Sequence, residues 1–195
     1  MSELDFGAVD DAMPLAERMR PKNLDDVVGQ EALIGAAGRL RRMLDSGTLS
    51  LIIFWGPPGT GKTTIARLLA AEANMAFEPV SAVFDGVADL RKVFSRSEER
   101  LRGGQRTLLF VDEVHRFNKA QQDGLLPRVE DGTVTLVGVT TENPSFALNG
   151  ALLSRAQVLV LERLTAAALE VLLARVETYS GRLLPLDEAA RAALI

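Results

Sequence analysis

A glycine-rich run directly after an apolar stretch is the feature that most constrains this chain. The run GPPGTGKT, residues 56–63, has the spacing G-x-x-x-x-G-K-[ST]. It follows LIIFW, which predicts a buried strand, and leads into TTIARLLAAEA, which predicts a helix. Glycines allow positive φ and close approach of the backbone to an oxygen-rich ligand, and N–H groups at a helix start can hold phosphates. The run therefore predicts a phosphate-binding loop, with a glycine-rich surface turn as the alternative.

The chemistry of this loop predicts ATP and Mg²⁺ as the bound species. We expect Lys62 to reach the β- and γ-phosphates of ATP, and Thr63 to place its hydroxyl on Mg²⁺. The residues predicted to contact the nucleotide from the loop and the start of its helix are Gly56, Pro57, Pro58, Gly59, Thr60, Gly61, Lys62, Thr63 and Thr64.

Short apolar segments alternate with helical patterns along the chain. The predicted strands are 51–55, 77–82, 107–111, 133–139 and 158–161, and the predicted helices are 31–46, 62–75, 86–102, 118–130 and 146–154. Strands that are apolar almost throughout and are separated by helices indicate a parallel sheet covered on both faces. The predicted fold is therefore a three-layer α/β domain with a five-stranded parallel sheet.

The pattern changes near residues 163–165, where the strands end and two helical patterns follow. We expect a flexible N-terminus over 1–13, which is small, acidic and without periodicity. A core over 14–163 begins with an irregular arm (14–30), and a partial helical unit covers 164–195. The chain ends on an apolar helical pattern without a C-cap, which indicates a truncated unit.

Composition limits the class of protein. Hydrophobic residues make up 47% of the chain and charged residues 25%, as in ordinary soluble domains. No apolar run reaches the length of a membrane span, and the acidic N-terminus fits neither a secretory signal nor a transit peptide. The chain has no cysteine and one histidine, which excludes disulfides and disfavours a zinc site. We expect a cytoplasmic protein without a membrane partner.

Two acids follow a predicted strand in TLLFVDEVHRF. Asp112 and Glu113 stand at its carboxyl end, where ligands bind in open parallel sheets. We expect Asp112 to hold Mg²⁺ through water and Glu113 to orient and polarise the attacking water; two solvated loop acids are the alternative. DEVH also matches the D-E-x-H box of a helicase superfamily, but such helicases need two motor domains and the chain has length for one. We interpret His115 as a helix-start or packing residue.

A polar break follows the next strand in LVGVTTENPSF. It places Thr140 and Thr141 beside the strand that carries Asp112. A hydroxyl at this position can hydrogen-bond the γ-phosphate or the attacking water. Taken alone, the stretch is equally a strand-ending turn before Pro144.

Together these motifs resemble the AAA+ ATPases, and more closely the replication-associated recombination protein A family. The segments that carry the resemblance are RPKNLDDVVGQE, GPPGTGKTT, FVDEVHRFNKAQQDGLLPRVEDGT and VGVTTENPSFALNGALLSRAQV. The part from Asp112 to Arg155 is the most family-specific. Relatives of this family include the Werner-helicase-interacting protein, the clamp loaders and the branch-migration motor of Holliday junctions. The resemblance implies a P-loop AAA+ ATPase domain followed by the start of a helical lid.

The resemblance also implies roles that the local patterns leave open. Arg155, in LLSRAQV, would be an arginine finger that contacts the γ-phosphate bound by a neighbouring subunit of a homo-oligomer; an exposed Arg in a surface ion pair is the alternative. Thr141 would be the sensor-1 residue, and the arm around Val27, Val28 and Gly29 would line the adenine pocket. The family's second sensor arginine belongs to the lid, and LDEAARAALI stops before it.

By the same resemblance, the oligomer would act on DNA ends, gaps or forks, with single-strand-binding protein or other replisome components as further partners. One predicted helix carries Lys92, Arg96 and Arg100 four apart, a line of cations that can track phosphates without reading sequence. A solvated face paired with Glu98 and Glu99, or a subunit contact, is the alternative. The net charge of −4 argues weakly against nucleic acid.

Two functions stay open at this point. One is an ATPase that remodels DNA or DNA-bound complexes at stalled replication forks. The other is a nucleotide-gated scaffold that hydrolyses ATP slowly and recruits replication or repair proteins. A protein unfoldase is less favoured, because Phe84 is the only candidate for an aromatic pore loop between the second and third strands.

Overall fold

The computed structural model of the chain describes residues 13–194, and the structural statements below concern that range. The predicted flexible N-terminus therefore lies outside the described residues, except for Met13. The described part divides into two compact units. Residues 23–163 form the first, and the second combines the residues up to Lys22 with those from Leu164 onwards.

A five-stranded parallel sheet forms the centre of the first unit, as predicted. Its strands are β1 (Leu51–Trp55), β2 (Ala76–Ser81), β3 (Thr107–Asp112), β4 (Thr135–Thr140) and β5 (Gln157–Val160). They lie in the order β2-β3-β4-β1-β5. This order places the carboxyl ends of β3, β4 and β1 side by side, and the register pairs Trp55 with Thr140 and Val111 with Gly138.

Helices connect the strands and make up the described part of the second unit. In the first unit they are α2 (Glu31–Ile34), α3 (Arg39–Asp45), α4 (Lys62–Glu72), α5 (Val87–Arg102), α6 (Lys119–Glu130), α7 (Pro144–Ala147) and α8 (Gly150–Arg155). Short 3₁₀ turns lie at Leu24–Asp26 and Val114–Arg116. The second unit contains α1 (Leu15–Arg18), α9 (Ala166–Ser180) and α10 (Glu188–Leu194). None of the described helices is long and apolar enough to cross a membrane.

Two hydrophobic clusters lie on opposite faces of the sheet. Because side chains alternate along a strand, Phe54 and Ile53 of β1 enter different clusters. Phe54 belongs to the cluster that contains Ile65 of α4, and Ile53 to the cluster that contains Leu125 of α6. All four side chains are fully buried. The predicted three-layer arrangement is therefore confirmed.

Two of the predicted helices are wrong as continuous elements. The pattern over 31–46 is broken between α2 and α3, where Gly38 lies so close to the carbonyl group of Leu33 that a Cβ would collide with it. The pattern over 146–154 is divided into α7 and α8. The side chain of Asn149 accepts a hydrogen bond from the backbone N–H of Leu152 at 2.7 Å, so a new helix begins there.

The N-terminal arm also departs from its prediction. Residues 14–30 contain α1 and a 3₁₀ turn rather than irregular structure alone, and those before Asn23 group with the second unit rather than with the core. In that unit the guanidinium of Arg18 lies over the ring of Tyr179, 5.7 Å from its centre. Such a contact joins segments far apart in the sequence, so no local sequence pattern predicts it.

Candidate nucleotide-binding site

The glycine-rich loop connects β1 to α4 at the carboxyl edge of the sheet. Its three glycines, at positions 56, 59 and 61, have φ values of 159°, 78° and 90°, as expected for a loop that needs positive φ. Gly61 is the N-cap residue of α4, and Lys62 and Thr63 form the first turn of the helix. The loop therefore has the conformation that its spacing predicts, with the N–H groups at the start of α4 at its end.

Gly56 has a second role that the motif does not indicate. Its backbone N–H donates to the carbonyl oxygen of Thr140 at the end of β4, over 3.3 Å. A Cβ at this position would collide with the carbonyl oxygen of Leu161, just after β5. The first glycine of the loop is therefore required by packing between neighbouring strand ends.

Lys62 lies inside the loop and is nearly buried, with 8% of its surface exposed. Its ammonium donates to the carbonyl oxygens of Gly56 at 2.8 Å and Pro57 at 2.6 Å. Burial lowers the pKa of Lys62 below its usual range, although the carboxylates of Glu113 and Asp112 oppose the shift. An anion that entered the loop would favour the charged form and relieve the cost of burying it.

The other predicted loop residues divide by exposure. Pro58 and Gly59 are exposed at the tip, whereas Thr63 and Thr64 are half-buried. The hydroxyl of Thr60 is buried and donates to the carbonyl oxygen of Pro57 at 3.1 Å. The Thr60 side chain therefore braces the loop from within.

Asp112 and Glu113 lie where the sequence places them, at the end of β3. Asp112 is the last residue of the strand and Glu113 precedes the 3₁₀ turn. Glu113 has φ 51° and ψ 46°, the left-handed conformation, which is unfavourable for a residue with a Cβ. Strain of this kind persists only where the surroundings impose it and is concentrated at functional sites.

The donor atoms at this edge fit a magnesium ion by their chemistry. Mg²⁺ prefers oxygen ligands and is commonly held by one or two carboxylates together with substrate phosphates and water. The hydroxyl of Thr63 and the carboxylate of Asp112 are such oxygens, and Asp112 lies close enough to Lys62 to influence its pKa. Thr63 and Asp112 could therefore hold the ion when a nucleotide is bound.

The two threonines of the polar segment after β4 differ in burial. Thr140 is fully buried, and its hydroxyl lies 3.0 Å from Nδ1 of His115 and accepts from the backbone N–H of Glu142 at 3.0 Å. Thr141, the predicted sensor residue, is exposed at the edge of the sheet. Thr140 therefore holds the segment in place, while Thr141 is accessible.

His115 is a site residue whose contacts the sequence analysis missed. Its side chain is 5% exposed, so the expected packing role holds, but both ring nitrogens face polar groups. Nδ1 lies 3.2 Å from a carboxylate oxygen of Glu113, and Nε2 lies 3.2 Å from one of Glu142. The only available sequence signal was the position of this residue two places after Glu113.

Arg155 ends α8 and is about half exposed. Its Nε donates to a carboxylate oxygen of Glu130, at the end of α6, over 2.8 Å, and both side chains are open to solvent. The helix is anchored at its other end, where Leu152 is fully buried and Asn149 donates from its side chain to Asp123 at 2.9 Å. The leucine therefore fixes α8 in the core, and the guanidinium at its end also donates to the carbonyl oxygen of Ala151, one turn back in the same helix, at 3.1 Å.

The predicted adenine-lining arm reaches the site through Gln30, a second residue that sequence reasoning missed. The buried amide of Gln30 donates to the carbonyl oxygen of Glu162 at 2.8 Å and accepts from its N–H at 3.3 Å. Val28 and Gly29 are half-buried directly before it, and Gly29 has φ 79°. Since Glu162 follows Leu161, which contacts Gly56, this pair of hydrogen bonds holds the arm beside the phosphate loop.

The line of cations on α5 is largely paired within the chain. Arg96 and Arg100 both contact Glu78 of β2, at 2.9 and 2.6 Å, and Lys92 contacts Asp89 at 3.0 Å. The alternative of a paired, solvated face therefore fits these cations, but with Glu78 and Asp89 as partners in place of Glu98 and Glu99. Glu78 was missed because it lies on another element, close in space and distant in sequence.

The comparisons with known proteins agree with this geometry. The sequence pattern of the ATPase family associated with various cellular activities (AAA) matches residues 52–164, more than half of the chain. The chain belongs to the AAA family. The match begins in β1 and ends directly after Arg163, so it includes the phosphate loop, Asp112, Glu113 and Arg155 of this AAA domain.

Relatives of this AAA chain carry the more specific resemblance. Replication-associated recombination protein A of Escherichia coli (strain K12) is 47% identical over 200 residues, which cover 100% of this chain and 45% of that protein. ATPase WRNIP1 of Dictyostelium discoideum is 48% identical over 162 residues, which cover 83% of this chain and 18% of that protein. The resemblance seen in the motifs is confirmed, and the chain spans less than half the length of these two relatives.

A solved structure shows the same AAA fold. The Thermotoga maritima RuvB Holliday junction branch migration motor superposes with a TM-score of 0.65 at 30% sequence identity. The superposition covers 84% of this chain and 55% of that one.

Proposed function

We propose that this AAA domain hydrolyses ATP in a magnesium-dependent reaction within an oligomer. The observation that carries the proposal is the convergence of Lys62 with Asp112 and Glu113, whose carboxylates both influence its pKa at the carboxyl edge of the sheet. Catalysis of phosphoryl transfer is mostly positioning and charge stabilisation, and these groups supply both. Mg²⁺ held by Thr63 and, through water, by Asp112 would neutralise charge that develops on the phosphates.

Within this mechanism Lys62 exchanges partners. The ammonium that now donates to Gly56 and Pro57 turns to the β- and γ-phosphates, which the loop N–H groups also hold. Glu113 orients and polarises the attacking water, and the hydroxyl of Thr141 contacts the γ-phosphate or that water. Val28 and Gly29 line the adenine pocket, and the hydrogen bonds between Gln30 and Glu162 hold their segment in place.

Arg155 completes the site of a neighbouring subunit in this proposal. Its bond to Glu130 joins two solvent-exposed side chains, and such pairs are worth about 0–1 kcal/mol. An arginine finger raises hydrolysis by about 10³–10⁵-fold, so exchange of Glu130 for a γ-phosphate is strongly favourable in the transition state. The position of Arg155 at a solvent-facing helix end supports this exchange.

For the full-length protein we propose action on DNA ends, gaps or forks at stalled replication forks. The support is the names of similar proteins, which refer to replication-associated recombination and to Holliday junction branch migration. A cytoplasmic, nucleoid-associated location follows from such a role. Single-strand-binding protein and other replisome components are the partners that this role favours.

One observation favours the second function, a nucleotide-gated scaffold. A cation paired with a carboxylate neutralises a phosphate less effectively, because the carboxylate stays beside it and repels the DNA, so the pairing of Arg96 and Arg100 with Glu78 weakens the predicted DNA-tracking line. A scaffold would bind and hydrolyse ATP at the same site without stimulation by DNA.

ATP turnover of the full-length protein against a panel of DNA structures tests the proposal. We expect Mg²⁺-dependent turnover that rises with duplex-end or forked DNA, and a loss of about 10²–10⁴-fold in Glu113→Gln, which keeps ATP bound. Normal turnover in Glu113→Gln would remove that residue from its role. Turnover that no DNA structure stimulates would favour the scaffold.

A further inference from the structure

His115 is a buried polar side chain that the proposed mechanism leaves unused. Its imidazole lies within 3.2 Å of three polar side chains: the hydroxyl of Thr140 and the carboxylates of Glu113 and Glu142. Thr140 and Glu113 share Nδ1, whereas Glu142 faces Nε2. The ring therefore bridges the carboxylate proposed to polarise water and the polar segment after β4.

The chemistry of imidazole makes this bridge selective. A neutral ring has one N–H, and an ionised carboxylate only accepts hydrogen bonds. Among the described residues, the one hydrogen bond of this ring joins Nδ1 and the hydroxyl of Thr140, and the carboxylates of Glu113 and Glu142 lie at ion-pair distance from Nδ1 and Nε2. A proton on Nδ1 attracts the Glu113 carboxylate; with the proton on Nε2 the ring attracts Glu142 instead, and Nδ1 accepts from the hydroxyl of Thr140. A neutral ring can thus attract one carboxylate or the other through its single N–H. A change at Glu142 therefore alters the interaction of the ring with Glu113.

The far end of the bridge is connected to the phosphate loop. The carbonyl oxygen of Thr140 accepts from the N–H of Gly56, the first residue of the loop. The N–H of Glu142 donates to the hydroxyl of Thr140, so residues 140–142 form one hydrogen-bonded turn that includes the predicted sensor Thr141. A displacement of this turn when nucleotide binds would reach His115 through both Thr140 and Glu142.

The near end of the bridge acts on a strained residue. Glu113 has a left-handed backbone, and its side chain is 30% exposed, so its carboxylate depends on neighbours for a defined position. The contact with Nδ1 is a candidate for that support. A small displacement of a reacting or water-orienting group is costly, since an error of about 1 Å can lower a rate about 10²-fold.

We infer that His115 is a positioning residue that couples the turn at residues 140–142 to the carboxylate of Glu113. The inference rests on the proposed role of Glu113 in hydrolysis. His115 does not touch the phosphates in this scheme. It sets when the carboxylate faces the attacking water, so its loss affects the hydrolysis step and leaves ATP affinity unchanged.

Substitutions at two positions, His115 and Glu142, separate the ends of the bridge. The amide of Asn in His115→Asn lies near the place of Nδ1 and can keep the contact with Glu113 or Thr140, whereas the longer Gln in His115→Gln places its amide near Nε2 and loses that contact. Glu142→Gln alters the far partner, whose side chain is 58% exposed, so it leaves folding intact. Arg116→Gln, on the exposed neighbour in the same turn, is the matched control.

Single-turnover hydrolysis of bound ATP by the full-length protein, with the Kd for ATP and the melting temperature, tests the inference. We expect His115→Gln to lower the hydrolysis rate about 10–100-fold without a change in Kd, and His115→Asn to recover part of the loss. Glu142→Gln should change the rate alone, because it removes the carboxylate that competes with Glu113 for the ring, but it should change nothing further in His115→Gln, where that ring is absent. Arg116→Gln should behave as wild type.

Three results would overturn the inference. They are a wild-type hydrolysis rate in Glu142→Gln or in folded His115→Gln, an effect of Glu142→Gln that persists in the double variant, and no recovery in folded His115→Asn. If wild type hydrolyses ATP and Glu113→Gln does not, any of these results removes His115 alone. If wild type does not hydrolyse ATP, the proposed function fails and the inference fails with it.

Discussion

Lys62 shows how the fold prepares one side chain for a ligand that is still to arrive. The ammonium is held by the carbonyl oxygens of Gly56 and Pro57 and is desolvated by its surroundings, which lowers its pKa. The loop thus keeps a cation at a buried position with weaker partners than a triphosphate would supply. Binding of the triphosphate would replace those partners with anionic oxygens.

Substitution Lys62→Ala should weaken ATP binding about 10–100-fold. A hydrogen bond to a charged group contributes about 1.5–3 kcal/mol, and about 1.4 kcal/mol corresponds to a tenfold change in Kd. Isothermal titration of the full-length protein measures the change. Lys119→Ala, at an exposed lysine at the start of α6, is the matched control and should bind ATP normally. An unchanged Kd in Lys62→Ala would remove Lys62 from the nucleotide site.

Single residues of the site were predictable where a local motif carries the chemistry. The positive φ of the loop glycines and the position of Asp112 at the end of β3 follow from spacing and strand pattern. The left-handed backbone of Glu113 and the hydrogen bonds of Gln30 and His115 do not. Each depends on groups that the fold brings together, from 25 residues away for Thr140 and His115 to 132 for Gln30 and Glu162.

At the scale of elements, the strands were predictable because burial leaves a clear apolar pattern. Each of the five observed strands begins and ends within two residues of its prediction. The helices were less predictable. The apolar spacing continues across each break, and the break itself depends on a helix cap or a close backbone contact. Gly38 and Asn149 interrupt patterns that are otherwise helical, one by a close backbone contact and the other by starting a new helix.

The contact between β2 and α5 makes a pH-dependent contribution to stability. Burial alone would raise the pKa of Glu78, but its hydrogen bonds and charge interactions with Arg96 and Arg100 outweigh burial and hold the pKa below its usual value of 4.5. A carboxyl group whose pKa is lowered by folding stabilises the fold above its unfolded-state pKa. That contribution is lost as the pH falls through the folded-state pKa.

Glu78→Gln should therefore lower the free energy of unfolding at neutral pH and remove part of its acid dependence. The difference from wild type should be constant above about pH 5 and shrink as the pH falls below 4.5, because protonated Glu78 no longer pairs with the arginines. Urea unfolding at several pH values measures it. Glu99→Gln, at an exposed site on α5, is the control. A difference that grows on acidification would contradict the assigned sign.

At the scale of the whole molecule, the fold and family were predictable because five strands and several motifs agree on one arrangement. The predicted DNA-tracking line shows where that reasoning stops. Residue spacing places Lys92, Arg96 and Arg100 on one face of α5, but it cannot show that Glu78 meets two of them. Charged side chains pair with groups on other elements, so the charge that a surface presents can be predicted only when the fold is known.

The proposed assembly places each active site between two copies of the chain. Lys62 and Glu113 belong to the copy that grips the triphosphate, and Arg155 comes from its neighbour. A head-to-tail arrangement of this kind repeats one interface from copy to copy, and it forms a ring where the rotation closes. Each copy then contributes to two sites, and a damaged copy can still supply half of a working one.

The most direct test is ATP turnover in mixtures of two inactive full-length variants, Arg155→Ala and Glu113→Gln. Alone, each should be deficient, by about 10³-fold or more for the loss of the finger. In an equal mixture, about a quarter of the interfaces should combine an intact Glu113 with an intact Arg155, and turnover should recover to a similar fraction of wild type. No recovery in assemblies that demonstrably contain both variants would contradict a finger supplied by the neighbouring subunit.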